Sequence, residues 1–231
     1  MKIRLVALVM TLCVFLSLNV SVLAAASNAN ETLETSDAEL AVLTTIFESE
    51  NHVQLIDIDG NNVRSEFVNK NMDAYNAGKF EGIIEQIADD SLTLLEPNGL
   101  VKEPIKESKS DDFTRGLVYD TATGTKIIKL KNPSGQVTTG RYTVTLQARF
   151  AINDYNNTIS GAVSGMQIIK QSVNPQTMAA KVERITNESS SITNNGKKIS
   201  FSGLLHVRSY TTAPFIGGYL QTEWATTSKS I

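Results

Sequence analysis

The sequence predicts an exported α+β domain, with helices in its first half and long antiparallel strands at its end. Three observations carry this. The first thirty residues have the layout of a secretory signal. Phe80, Ile83, Ile84 and Ile87 fall at the i, i+3, i+4, i+7 spacing of one helix face. From Tyr142 to Ile152, apolar residues occupy every second position, the period of a strand with one buried face.

The signal comes first. Lys2 and Arg4 form a basic start, Leu5 to Leu23 is mostly apolar, and Ala24-Ala25-Ala26 offers a small-residue cleavage site. The alternative is an uncleaved membrane anchor. Spanning needs roughly 20 apolar residues, and Ser17, Asn19 and Ser21 interrupt this run. Removal of residues 1–26 takes Lys2 and Arg4 from the 21 basic side chains, leaving 19 against 24 acidic, a net charge of −5. That balance argues against nucleic acid and anionic membrane surfaces as partners. The single cysteine, Cys13, leaves with the signal. The remaining chain then relies on its core, with neither disulfide nor thiolate chemistry. This suits export from a bacterium, Gram-positive by preference.

Three regions are expected: 1–26 as signal peptide, 27–58 as a tail with a short helix and turn, and 59–231 as the main domain. Ser36 and Glu39 have the spacing of a capping box, opening a helix to about Phe47. Asp57, Asp59 and Asn61 alternate like a calcium loop. The glycine, however, stands at the fourth position instead of the sixth, and Val68 holds the twelfth. Asp59-Gly60 therefore reads as a tight turn. A helix follows from about Val63 to Ala77, with Gly78 as the left-handed residue that stops it. The Phe80 ladder is the next helix, and one of Asp89 and Asp90 is expected to turn out of its end toward the following turn. SLTLLE reads as a strand. Residues 98–140, with the polar run KESKSDD, read as an irregular insertion holding two short strands near 117–119 and 126–130. After the long strand at 141–152 come strands at 159–170, bent at Gly161 and Gly165, then 178–185, 199–207 and 219–225.

Ala74-Tyr75-Asn76-Ala77-Gly78, the Phe80/Ile83/Ile84/Ile87 ladder, Ala88-Asp89-Asp90 and Glu96-Pro97-Asn98-Gly99 stand in the order helix, helix, strand. In this, residues 60–100 resemble the nuclear transport factor 2-like superfamily, which includes SnoaL-like proteins and ketosteroid isomerase. The resemblance implies helices packed in a strongly curved antiparallel sheet, a cone with an apolar pocket. It implies a small apolar ligand and a homodimer formed through the sheet. In the isomerases the general base precedes a proline, which makes Glu96 the candidate catalytic residue. Where they carry a phenol, seven residues before the junction glycine, this chain has Asn71, whose amide could donate in its place.

Tyr75 is a candidate pocket hydroxyl, and Trp224 is a candidate pocket wall or core residue. His206 and Arg208 lie on the strand face opposite Phe201, Leu205 and Val207 and are expected to face solvent. His52 and His206 are too far apart in sequence to suggest a metal site. No G-x-S-x-G occurs. No metal and no cofactor are expected. The leading reading is an exported domain that binds a small ligand or a partner. The alternatives are a small lyase or isomerase with Glu96 as base, and an extracellular β-sheet module for protein partners.

Overall fold

The computed structural model describes residues 34–49, 53–96, 103–104, 116–132, 134–175, 178–211 and 218–231. The segment read as a signal peptide, the tail to residue 33, His52, Pro97-Asn98-Gly99 and the polar run at 106–112 lie outside the described residues.

Among the described residues there are three helices, all in the first half of the chain. Helix α1 (Asp37–Glu48) starts at Ser36, whose capping box with Glu39 forms in both directions. Helix α2 (Arg64–Asn76) ends where Gly78 takes φ +71°, and Lys79 N–H donates back to the Ala74 carbonyl. This closes the last turn with a residue that carries no Cβ penalty. Helix α3 (Phe80–Asp89) buries Ile83, Ile84 and Ile87, the ladder read from the sequence. At its end Asp89 pairs with Lys129 at 2.7 Å, and Asp90 accepts from the Gln86 amide. The turn at Asp57–Gly60 is built by the Asp57 carboxylate, which accepts from the backbone N–H of Asp59 and Asn61.

The described residues hold ten strands after the first helix: β1 (Gln54–Ile56), β2 (Thr93–Glu96), β3 (Glu103–Pro104), β4 (Leu117–Lys131), β5 (Val137–Asn153), β6 (Thr158–Ala162), β7 (Gln167–Asn174), β8 (Met178–Thr193), β9 (Lys198–Thr211) and β10 (Tyr219–Ser230). They form two antiparallel sheets. The larger runs β1-β2-β4-β5, with β6 and β7 sharing the far edge of β5 and β3 added to β4. The smaller runs β8-β9-β10.

The cone expected from the resemblance is not what forms. Among the described residues 57% lie in strands and 21% in helices, so the helices are too few to fill a wrapped sheet. The reason lies in which surface covers which. The alternating row Tyr142, Val144, Leu146, Ala148, Phe150 and Ile152 packs against Ile199, Phe201, Leu205 and Val207 of the second sheet. The helix ladder packs instead with Leu55, Leu94 and Ile127 on the opposite face of the larger sheet. Two separate apolar clusters result, one on each face of the larger sheet, and the helices form a third layer.

The region read as an irregular insertion also differs. Residues 117–131 are one continuous strand paired with β5 from Leu117↔Asn153 to Lys131↔Val137. The shift in pairing between Lys129 and Lys131 leaves backbone groups off the ladder. The Gln221 amide of β10 meets them, donating to the Lys129 carbonyl at 2.9 Å and accepting from Lys131 N–H at 3.0 Å. A side chain of the second sheet thus repairs a bulge in the first.

Candidate ligand groove

The helix-side face of the larger sheet is only partly covered. Helix α3 packs on Leu94 and Ile127. Between α1 and the sheet lies a groove of about 380 Å³, walled by Ala38, Ala41, Val42 and Thr45 of α1. Its floor follows from register. Thr125 sits opposite Thr145 and Thr123 opposite Gln147, and Thr143 is one pleat further on. These side chains share one face because directly paired residues point the same way. Thr123, Thr125 and Thr143 are buried, and Thr125 and Thr145 hold their hydroxyls 3.0 Å apart.

The groove has a charged group on each side. Glu96 pairs with Thr123 at the β2 side, and Lys170 pairs with Thr145 at the β7 side. Both line the groove. They stand three strands apart, about 14 Å at ordinary strand spacing. Ser172 and Gln171 complete the β7 wall.

Helix α1 is held over the sheet by an ion-pair cluster at the groove's end. Arg141 of β5 is 1% exposed and donates to Glu39 of α1 through Nε and to both carboxylate oxygens of Glu81 on α3. The Glu39 carboxylate, 0% exposed, also accepts from Ser36 and from the Asn174 amide at 2.7 Å. Burial works to raise its pKa, but Arg141 and Ser36 together outweigh that and hold it below the usual range. The carboxylate that caps α1 is therefore also the one that ties α1 to β5.

The structure places the other residues singled out in the sequence away from this groove. Asn71 donates to the Phe67 carbonyl one turn back along α2. Tyr75 stacks on Phe47 at 4.2 Å and donates to Glu48. Trp224 is 49% exposed on the outer face of the second sheet. Glu96 alone of the four reaches the groove. The threonine floor was missed because Thr143, Thr145 and Gln147 alternate with the apolar row and so read as a solvent face. A signal was present, since these positions are uncharged and mostly β-branched where a solvated strand face usually carries Lys or Glu.

Among the described residues no group of three or more His, Cys, Asp or Glu side chains could hold a metal ion. No described helix is long and apolar enough to cross a membrane. Comparison with family models, with curated proteins and with solved structures finds no match for this chain.

Proposed function

We propose that this is an exported binding domain whose groove takes a small polar ligand, zwitterionic or rich in hydroxyls. The observation that supports it is the threonine floor. Sheet surface beneath a helix is ordinarily apolar, and valine has nearly the shape of threonine. The Thr125 and Thr145 hydroxyls bond each other, and a hydroxyl keeps further acceptor capacity that valine lacks, so this floor suits a guest with donors of its own. Glu96 and Lys170 on opposite sides add one group for a cation and one for an anion.

Catalysis by Glu96 is the second reading, favoured by its position on the groove wall. Its test is turnover that is lost in Glu96→Gln with the fold intact.

The binding reading is tested by native mass spectrometry of the purified chain and by thermal-shift screening with free amino acids and small sugars. A co-purifying mass or a stabilising polar compound is expected. The pair Thr125→Val, Thr145→Val should abolish that response while leaving the circular dichroism spectrum unchanged. A chain that carries nothing and responds to no polar compound would sink the reading.

A further inference from the structure

The second sheet has a face that no other described element covers. In β9, Ile199, Phe201, Leu205 and Val207 turn inward, so Ser200, Ser202, Leu204, His206, Arg208 and Tyr210 turn outward. Register extends this face across all three strands. One row holds Lys181, Arg208 and Leu220, the next Arg184, His206 and Thr222, and the next Thr186, Leu204 and Trp224. Trp224 is 49% exposed and Leu220 39%, and Lys181 and Arg184 are exposed.

We propose that this face binds an acidic polysaccharide, with Trp224 as the stacking platform and Lys181, Arg184 and Arg208 as the anion-recognising groups. The charge argument comes first. Arg208 is paired with Glu183, and the fields of Lys181 and Arg184 also act on that carboxylate. Three cations against one carboxylate make this a positive patch on a chain whose net charge is −3. An anionic occupant complements it. A second copy of the chain does not, because a two-fold interface through this face would set the same cations against themselves. Three cations are also few for a nucleic acid, whose binders commonly neutralise several phosphates.

The chemistry of the neighbouring rows selects sugar among anions. An indole lying open on a sheet offers a negative π face, and the C–H face of a pyranose ring carries the matching weak positive charge. Around Trp224 stand Thr222 and Thr226 on its own strand and Thr186 two strands away, whose hydroxyl lies 2.8 Å from His206 Nε2. These are short donors and acceptors of the kind that hydroxyl-rich chains use. Its rows run along strands of 16, 14 and 12 residues, an extended surface that suits a polymer better than a small molecule.

Trp224 is the only tryptophan in the sequence, so intrinsic fluorescence reads the site directly. The full chain is titrated with polygalacturonate and with dextran sulfate, against neutral dextran and a single-stranded oligodeoxynucleotide. At least one acidic polysaccharide is expected to shift or quench the emission, with neutral dextran silent and the oligonucleotide at least tenfold weaker. Lys181→Ala with Arg184→Ala should weaken binding at least tenfold. Trp224→Ala should do the same when binding is read by calorimetry. Thr145→Val, in the groove on the other sheet, should change nothing. Silence toward both acidic polymers, an equal response to neutral dextran or to the oligonucleotide, or full binding by the Lys181/Arg184 variant would each overturn the proposal.

Discussion

Arg141 shows how one side chain can set both stability and the shape of a site. It sits on the threonine side of β5, a position that alternation alone assigns to solvent, yet it is among the largest fully buried side chains of the protein. Two carboxylates from two helices make that burial tolerable. Removing one partner of a buried ion pair typically costs about 3–5 kcal/mol, because the other charge stays behind without compensation. Arg141→Met is expected to destabilise the domain by roughly that amount, measured by urea unfolding. The pH dependence has a definite sign. The Glu39 pKa is lowered on folding from its ordinary 4.5, so its contribution is fully present above that value and fades as pH falls through the folded pKa. Stability should therefore drop below about pH 4.5. In Glu39→Gln that part of the acid slope should be missing, and an unchanged slope would show that other carboxylates govern acid unfolding. Lys126 is the opposite case. It is buried between the two sheets, donates to the Trp224 carbonyl at 2.7 Å, and burial holds its pKa below the lysine range.

At the scale of elements, the contrast between β4 and β5 explains what could be read in advance. Strand β5 displays its alternation because Thr143, Thr145, Gln147 and Arg149 separate its apolar residues. Strand β4 has almost no exposed position, being covered by helices on one face and by the second sheet on the other. A strand buried on both faces loses the period of two. Asp120, Gly124 and Lys126 inside the run LVYDTATGTKIIKLK further disguise it, and each has a tertiary reason that no local pattern carries. Asp120 accepts from Lys229 of β10, and Lys126 reaches the β10 backbone. Gly124 is where β10 comes closest. A Cβ there would lie 2.6 Å from the Thr226 carbonyl oxygen, a backbone atom that cannot rotate away. Gly124→Ala must then push the two sheets apart or bend β4. Overpacking of this kind costs about 1–3 kcal/mol. A loss of that size in chemical denaturation is expected, and an alanine tolerated without loss would mean that the sheets are less closely apposed here. The helix ends were legible for the converse reason. Ser36 with Glu39, and Gly78, act within a few residues of themselves, so their chemistry is complete in the local sequence.

For the whole molecule, the decisive fact is that one strand, β4, serves two cores. The apolar row of β5 faces the second sheet, while Ile127 of β4 closes the helix cluster with Leu55 and Leu94. The resemblance implied helices inside a curved sheet, where they would cover its apolar face. A second sheet supplied by residues 178–230 competes for that face and takes it, with Phe201, Leu205 and Val207 matching it in shape and length. The outer sheet faces were readable only as solvent-exposed, since a binding face and a solvated face share one composition until the cross-strand rows are assembled. The shared strand also makes a statement about cooperativity. Because β4 belongs to both clusters, the helix layer cannot melt without exposing one side of a strand that holds the sandwich. Ile84, fully buried in α3, tests this from the helix side. Ile84→Ala should cost about 2–5 kcal/mol. The single tryptophan reports on the second sheet and helical ellipticity reports on α1–α3, so the two layers can be followed separately. Both transitions should shift to lower temperature together and remain superimposed, as two-state unfolding requires. A tryptophan transition that stays at its original temperature while ellipticity is lost early would show that the sandwich stands alone and the helices are a detachable lid on the groove.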